Sequence, residues 1–231
     1  MQILPHVYLA DGFAYMEHPN IYLIQGTDGL IMVDCGTDEA ALRRAEKNAA
    51  MWGLSLDAVR YLLITHSHYD HVGNAAAIRR RGAKIVAGPG DAEGIAAADS
   101  RTADYAGGFK IEPCPIDRIV RDGEQLEACG RTFHIRHAPG HSEGSIIYQL
   151  EHAGKTIWFT GDVVFPLVGW QGELGWRGGE TFDRGTYIKT LKRLAAFMDV
   201  DCVLAGHYAP CLAEGHRVIG RAYVKALVEW R

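Results

Sequence analysis

The sequence has no C-x-x-C pair, no long apolar run, no basic excess and no low-complexity tract, and each absence removes a class of protein. Its cysteines (Cys35, Cys114, Cys129, Cys202, Cys211) are odd in number and widely spaced. That argues against a disulfide framework and a thiolate zinc site, and predicts reduced, mostly buried thiols. No segment is long and apolar enough to cross a bilayer. The start, MQILPHVYLADG, has neither the basic opening nor the sustained apolar stretch of a secretory signal, so a cytoplasmic protein is expected. A formal charge of −4, with basic residues scattered except for Arg79-Arg80-Arg81, leaves no electrostatic footprint for nucleic acid. Those three arginines read as the solvated end of a helix. With no repeat or linker to divide it, the chain is expected to form one domain over residues 1–231.

What is present is an α/β pattern. IYLIQG and LIMVDCG read as strands joined at Asp28-Gly29, a tight hairpin signal, and residues 37–51 read as a helix. VRYLLITH is apolar enough for a strand buried on both faces, VGNAAAIRRRG reads as a helix closed by Gly82, and KIVAG as another strand. The second half repeats the theme with TFHIRHAP, SIIYQL, KTIWFTGD and DCVLAGH, and with helices over residues 184–198 and 215–230. Strands that stop abruptly at polar residues, with helices enough to cover them, suit a two-sheet core with helices outside.

The chain holds eleven histidines. A lone histidine is more often a surface or satisfied core residue than a ligand, and His6, His18, His134, His137, His152 and His216 fit that reading. His66, His68 and His71 differ, because with Asp70 they form H-x-H-x-D-H directly after an apolar strand. Burying four such groups in one short turn without a shared partner is costly. A divalent metal supplies that partner, and imidazole with carboxylate suits zinc and also iron or manganese. In an extended segment His66 and His68 point to one side and can grip one ion, while Asp70 and His71, where the chain turns, are displaced enough to serve a second. Asp70 could instead be a helix N-cap.

Three further strand-ending elements follow in order: Ala138-Pro-Gly-His141, Phe159-Thr-Gly-Asp162 and Leu204-Ala-Gly-His207. With Thr65-His-Ser-His-Tyr-Asp-His71 they resemble the metallo-β-lactamase-fold hydrolase superfamily, in its glyoxalase II and lactonase-like branch, over residues 21–210. The resemblance implies an αββα sandwich of two mixed β-sheets with helices on both outer faces and the site at one edge. It implies that His66, His68 and His141 bind a first ion, that Asp70, His71 and His207 bind a second, and that Asp162 bridges them. Asp34 matches an acidic position that orients a ligand without binding metal, although the turn before residue 37 could also account for it.

Two cations bridged by Asp162 and a water depress that water's pKa enough to hold hydroxide at neutral pH, so no serine or cysteine nucleophile is needed. Asp70 could pass a proton to the leaving group. The expected reaction is hydrolysis of a small ester, thioester, lactone or amide by a two-ion site, with zinc preferred. Flavin-dependent di-iron reductases of the fold carry Glu where His68 stands. True metallo-β-lactamases generally lack the bridging aspartate and are exported. Glyoxalase II adds a helical domain for glutathione where only 24 residues follow His207 here. Lactonases place a tyrosine soon after that aspartate, where this chain reads VVFPLVGW; Tyr208 or Tyr105 could substitute.

The glycine-rich stretch FPLVGWQGELGWRGGETF, residues 165–182, cannot make a good helix. It is expected to wall the site as a mobile lid, with Trp170 and Trp176 on an apolar part of a small-molecule substrate and Arg177 on an anion. Packing of those tryptophans on a sheet edge is the plainer alternative. A mononuclear iron persulfide dioxygenase of the same fold is the competing function. A non-catalytic member is the third, and seven filled ligand positions at an open edge argue against it.

Overall fold

The computed structural model describes residues 1–12 and 18–230. The first sheet has seven strands in sequence order: β1 (Gln2–Leu4), β2 (Val7–Asp11), β3 (Ile21–Gln25), β4 (Leu30–Val33), β5 (Val59–Leu63), β6 (Lys84–Ala87) and β7 (Arg118–Ile119). Neighbours are antiparallel up to β4 and parallel from β4 to β7. Parallel neighbours need crossovers, and these are α1 (Glu39–Ala50), then α2 (Tyr69–Val72) with α3 (Ala75–Arg80), then α4 (Asp91–Ala97) with α5 (Asp104–Gly107). The second sheet runs from β8 (Gln125–Ala128) through β9 (Arg131–His137) and β10 (Ile146–His152) to β11 (Lys155–Gly161), all antiparallel. A ribbon of β12 (Phe165–Leu167) and β13 (Gln171–Glu173) and the helix α6 (Arg184–Leu194) follow. Then β14 (Cys202–Ala205) lies parallel to β11, and α7 (Gly215–Glu229) closes the fold.

Alternation along the strands explains the layering. Tyr22, Ile24, Ile31 and Val33 meet Phe133, Ile135, Tyr148 and Phe159 between the sheets. Ile21, Leu23, Met32 and Leu62 turn the other way, against Leu42 and Ala45 of α1 and Ile78 of α3. On the far side Ile147, Trp158 and Val203 pack under Leu191 of α6 and Val218 and Ala222 of α7. The result is the αββα sandwich expected, each fully buried aliphatic side chain contributing on the order of 1.5–3 kcal/mol of transfer free energy.

Three local expectations change. VRYLLITH is not buried on both faces throughout, because Arg60 is exposed and donates Nη1 to the Asp57 carbonyl (2.9 Å) and Tyr61 is half-buried, while Val59, Leu62 and Leu63 are enclosed. VGNAAAIRRRG is not one helix: α2 and α3 are separated at Gly73 and Asn74. A Cβ on Gly73 would collide with the Thr37 carbonyl, and Asn74 donates its amide to the carbonyls of Cys35 (2.8 Å) and Asp38 (2.7 Å), so the loop before α1 is seated in the break. The stretch over residues 165–182 contains the β12–β13 ribbon. Asp38, not Asp34, caps α1, accepting from Ala41 N (2.9 Å). The three arginines lie at the surface as expected, paired with Asp117, Glu112 and Glu46. Cys35, Cys114, Cys129 and Cys202 are buried free thiols and Cys211 is half-buried. Among the described residues no helix is long and apolar enough to cross a membrane.

Parallel strands bring their carboxyl ends to one edge, where loops can carry chemistry without disturbing the core. Asp34 follows β4, His66 and His68 follow β5, and Asp91 follows β6. In the other sheet β9 and β11 are both antiparallel to β10 and so run the same way, with β14 parallel to β11. Hence His141, Asp162 and His207 emerge on the matching edge.

Candidate metal centre

The seven residues singled out by their motifs come together there as overlapping groups. His66, His68 and His141 form one, His66, His71 and Asp162 a second, and Asp70, His71 and His207 a third, with the potential ligand atoms of each group within 4.8 Å of one another. Asp162 Oδ2 lies 4.0 Å from His66 Nε2, 3.8 Å from His141 Nε2 and 3.6 Å from His207 Nε2, while its Oδ1 lies 3.3 Å from His71 Nε2. Asp70 Oδ2 is 3.2 Å from His207 Nε2 and 3.6 Å from His71 Nε2. His141 Nε2 stands 3.0 Å from His68 Nδ1.

These spacings have a physical meaning. Ligand atoms about 2.0–2.2 Å from one tetrahedral ion stand roughly 3.3–3.6 Å from each other, near the separations seen here. Buried polar atoms normally find a hydrogen-bond partner, yet His66 Nε2, His71 Nε2 and Asp162 Oδ1, all facing the cluster, are buried with none. Imidazole and carboxylate donors, converging and left unsatisfied by the protein, fit a divalent metal site.

The ring orientations are imposed from behind. Asp34 adopts φ 54°, a left-handed conformation that aspartate tolerates better than most residues. Its Oδ1 accepts from Thr65 N (2.8 Å), and its Oδ2 accepts from Thr65 Oγ1 (2.8 Å) and His71 Nδ1 (2.8 Å). The His71 proton is thereby held on Nδ1 and Nε2 faces the cluster. Thr65 Oγ1, its own hydrogen committed to Asp34, lies 3.0 Å from His66 Nδ1 and can accept from it. On the other side the Trp176 carbonyl accepts from His141 Nδ1 (3.0 Å). Asp70 is not used as a helix cap: α2 starts after His68 without a side-chain cap, and the Asp70 carboxyl turns to His207.

Electrostatics divide the cluster. Burial holds His66 well below the usual histidine range, lowers His141, and takes His68 down to about 3, with the neighbouring imidazoles adding to the effect. Burial also lowers His71 and His207, but the carboxylates beside them outweigh it and raise both. Burial pushes Asp162 up, yet His207 and His71 prevail and hold it well below the carboxylate range; Asp70 is lowered in the same way by His71 and His207. One half is thus three neutral nitrogens. The other demands positive charge.

Sequence reasoning missed Asp91. This carboxylate, 1% exposed, accepts from Ser67 N (2.8 Å), Ser142 Oγ (2.6 Å) and Gly144 N (2.9 Å). The available signal was Gly88-Pro-Gly-Asp91, another strand-ending Gly-Asp pattern directly after KIVAG. It also missed the Trp176 carbonyl, which no side-chain motif can show.

The four proposed substrate contacts separate. The Trp176 ring lies 5.8 Å from that of His68, beside the cluster. The Tyr208 ring packs on Phe165 (5.3 Å), which in turn faces His207 (5.6 Å). Trp170 is held elsewhere, donating Nε1 to the Ala213 carbonyl (3.2 Å) with Arg217 over its ring. Arg177 pairs with Glu229 (3.5 Å) and lies over Trp230 of the carboxyl-terminal region. Tyr105 donates to the Gly178 carbonyl (3.1 Å), tying the segment after α4 to the residue 165–182 stretch. A cavity of about 160 Å³ opens beside Asp70, lined by His18, Thr37, Arg44, Tyr69 and Phe109 among others.

An αββα sandwich with an imidazole–carboxylate centre at the shared carboxyl edge of its sheets defines a metal-dependent hydrolase. The chain belongs to the metallo-beta-lactamase superfamily, whose family description matches residues 15–207. A hydroxyacylglutathione hydrolase of Photobacterium profundum is 30% identical over 193 residues, 81% of this chain and 60% of that protein. Acyl-coenzyme A thioesterase MBLAC2 of Homo sapiens is 26% identical over 245 residues, 88% of this chain and 80% of that one. A solved Cronobacter sakazakii metallo-beta-lactamase with a HARLDQ motif shares the fold, with a TM-score of 0.77 over 100% of this chain and 95% of its own at 20% identity.

Proposed function

We propose that this protein is a two-ion hydrolase of a small ester, thioester, lactone or amide. The observation that carries the reading is the overlap of a three-histidine group with an Asp70–His71–His207 group through Asp162. A one-iron dioxygenase would leave Asp70, His71 and His207 converged without a task. When bound, a pair of divalent cations, zinc preferred on this donor set over iron or manganese, polarises a substrate carbonyl and supplies hydroxide at neutral pH.

The chain's own residues do the rest. Asp34 and the Trp176 carbonyl hold the His71 and His141 protons on Nδ1, keeping Nε2 of each turned inward. Asp70, whose side chain is 20% exposed at the mouth of the site and whose pKa His71 and His207 lower, is the carboxylate placed to take the proton that the attacking water gives up and pass it to a leaving group. A thiol nucleophile has no support: burial raises all five cysteines, to about 11 for Cys114, Cys129 and Cys202. The cavity beside Asp70 has about the space a benzene-sized group occupies, which suits the part of a substrate next to its scissile bond and leaves any large carrier outside. Relatives named hydroxyacylglutathione hydrolase and acyl-coenzyme A thioesterase favour a thioester within the proposed range.

Elemental analysis of the purified protein, followed on the same sample by lactones, thioesters, β-lactams and phosphodiesters, tests this. Two zinc per chain with thioester or ester turnover is the expected result. One iron per chain, with oxygen uptake on glutathione persulfide, would replace it with the oxidative reading.

A further inference from the structure

His68 and His141 come from different sheets, 73 residues apart, yet must hold nitrogens 3.0 Å from each other. Ring contacts within the cluster do not fix that spacing, because both side chains hang from loops. The loops themselves are joined at one point. Asp91, the first residue of α4, lies behind both: Oδ2 accepts from the main-chain N–H of Ser67, immediately before His68, and from Ser142 Oγ, immediately after His141, while Oδ1 accepts from Gly144 N. Ser142 Oγ also lies 2.7 Å from Ser145 Oγ, and Ser67 Oγ donates to the Arg101 carbonyl (2.9 Å), so each loop is tied down around the carboxylate.

The backbone is shaped to admit this contact. A Cβ on Gly144 would collide with the Pro89 carbonyl and with Asp91, and one on Gly88 would collide with the Gly144 carbonyl. The Gly88–Pro89–Gly90 turn, with Gly90 at φ 84°, therefore presses directly on the His141 loop. Among the described residues Asp91 makes no ion pair, and the hydrogen bonds it accepts come from neutral donors of the two loops. An amide in its place has one acceptor oxygen and two N–H donors, and would set a donor against Ser67 N or Gly144 N.

We propose that Asp91 is a positioning residue for the metal centre, clamping the His68 and His141 loops at the separation a single ion requires. Asp34 acts comparably on His71, and on His66 through Thr65, so each pair of neighbouring rings has its own buried carboxylate. The inference rests on the reading of the cluster as a metal centre, and the experiment keeps the two apart.

The full chain is stripped with chelator and titrated with cobalt(II), following visible absorbance and competition affinity, in a His207→Ala background where the first group alone is complete. Asp91→Asn is expected to weaken cobalt binding about 10- to 100-fold and to change the visible band. Ser142→Ala, which removes one contact and leaves the carboxylate, is expected to give a smaller loss in the same direction. The companion titration without the His207→Ala change is expected to show the Asp70–His71–His207 group still filling. Cobalt binding and spectrum unchanged in both variants would overturn the proposal. So would an equal loss at both groups accompanied by a lower melting temperature of the chelated protein, the mark of a general structural role. A parent protein that takes up no cobalt would instead overturn the metal reading, and the Asp91 inference with it.

Discussion

His66, His68 and His141 offer three imidazoles whose pKa values burial lowers, whereas Asp70, His71 and His207 offer a carboxylate with two imidazoles whose pKa values the neighbouring carboxylates, Asp162 and Asp70 among them, raise. Both groups sit at the same edge and share Asp162, yet they make different demands on an ion. The first can accept a cation with no proton to displace. The second must release protons as it binds, and in return brings negative charge that the first lacks. Imidazoles of one kind thus behave unequally in the two groups, because burial and neighbouring charge, rather than residue identity, set their proton affinity.

Removing the shared residue should abolish the comparison. Asp162→Ala takes away the carboxylate that faces both groups, and turnover is expected to fall by at least about 1000-fold, or about 4 kcal/mol of transition-state stabilisation, with loss of bound metal on elemental analysis. Asp70→Asn tests the second group alone. An amide oxygen can still coordinate but cannot deliver the proton, so turnover is expected to drop about 100-fold with both ions retained; normal metal content with full turnover would exclude Asp70 from proton transfer.

Acid should sharpen the inequality. His71 and His207 are raised, so they keep their protons to higher pH, and metal uptake by their group should weaken as pH falls from about 8 to about 6. His66, His68 and His141 are lowered, His68 to about 3, so protons compete less with the metal there and uptake by their group should change less across that window. Calorimetric zinc titrations at the two pH values read the difference directly. In the metal-free fold, protonated His71 and His207 stabilise fully below the unfolded histidine pKa of about 6.5, and that contribution is lost as pH rises through their folded values.

The residue 165–182 stretch gives the smallest effects, and they too separate. Gly175→Ala would drive a Cβ into His141 Nδ1 and the Asp162 carbonyl, so about a tenfold loss of metal affinity at the three-histidine group is expected. Trp170→Ala should cost about 1 kcal/mol of stability, read by denaturant unfolding, and leave turnover unchanged, since its contacts are Ala213 and Arg217. Through the Trp176 carbonyl this stretch holds the His141 ring from behind.

Much of the fold was legible because its signals are local. Short apolar runs in IYLIQG and LIMVDCG with Asp28-Gly29 between them marked β3, β4 and their hairpin. The continuous helix predicted from VGNAAAIRRRG failed because what breaks it lies far off in sequence: the Thr37 carbonyl against Gly73 and the Cys35 and Asp38 carbonyls on Asn74. Around Arg177, likewise, nothing in the local sequence announces that Glu229 and Trp230 will stand beside it.

By itself the sequence determined which side chains bear the chemistry. H-x-H-x-D-H and the strand-ending His141, Asp162 and His207 are each short patterns whose residue types have little other reason to crowd. Only the tertiary structure decided how those groups pair, which half is neutral, and that Asp91 and the Trp176 carbonyl stand behind His68 and His141. The reason is that hydrogen bonds and burial between loops of two different sheets depend on strand direction and layer packing, for which no run of neighbouring residues carries a period.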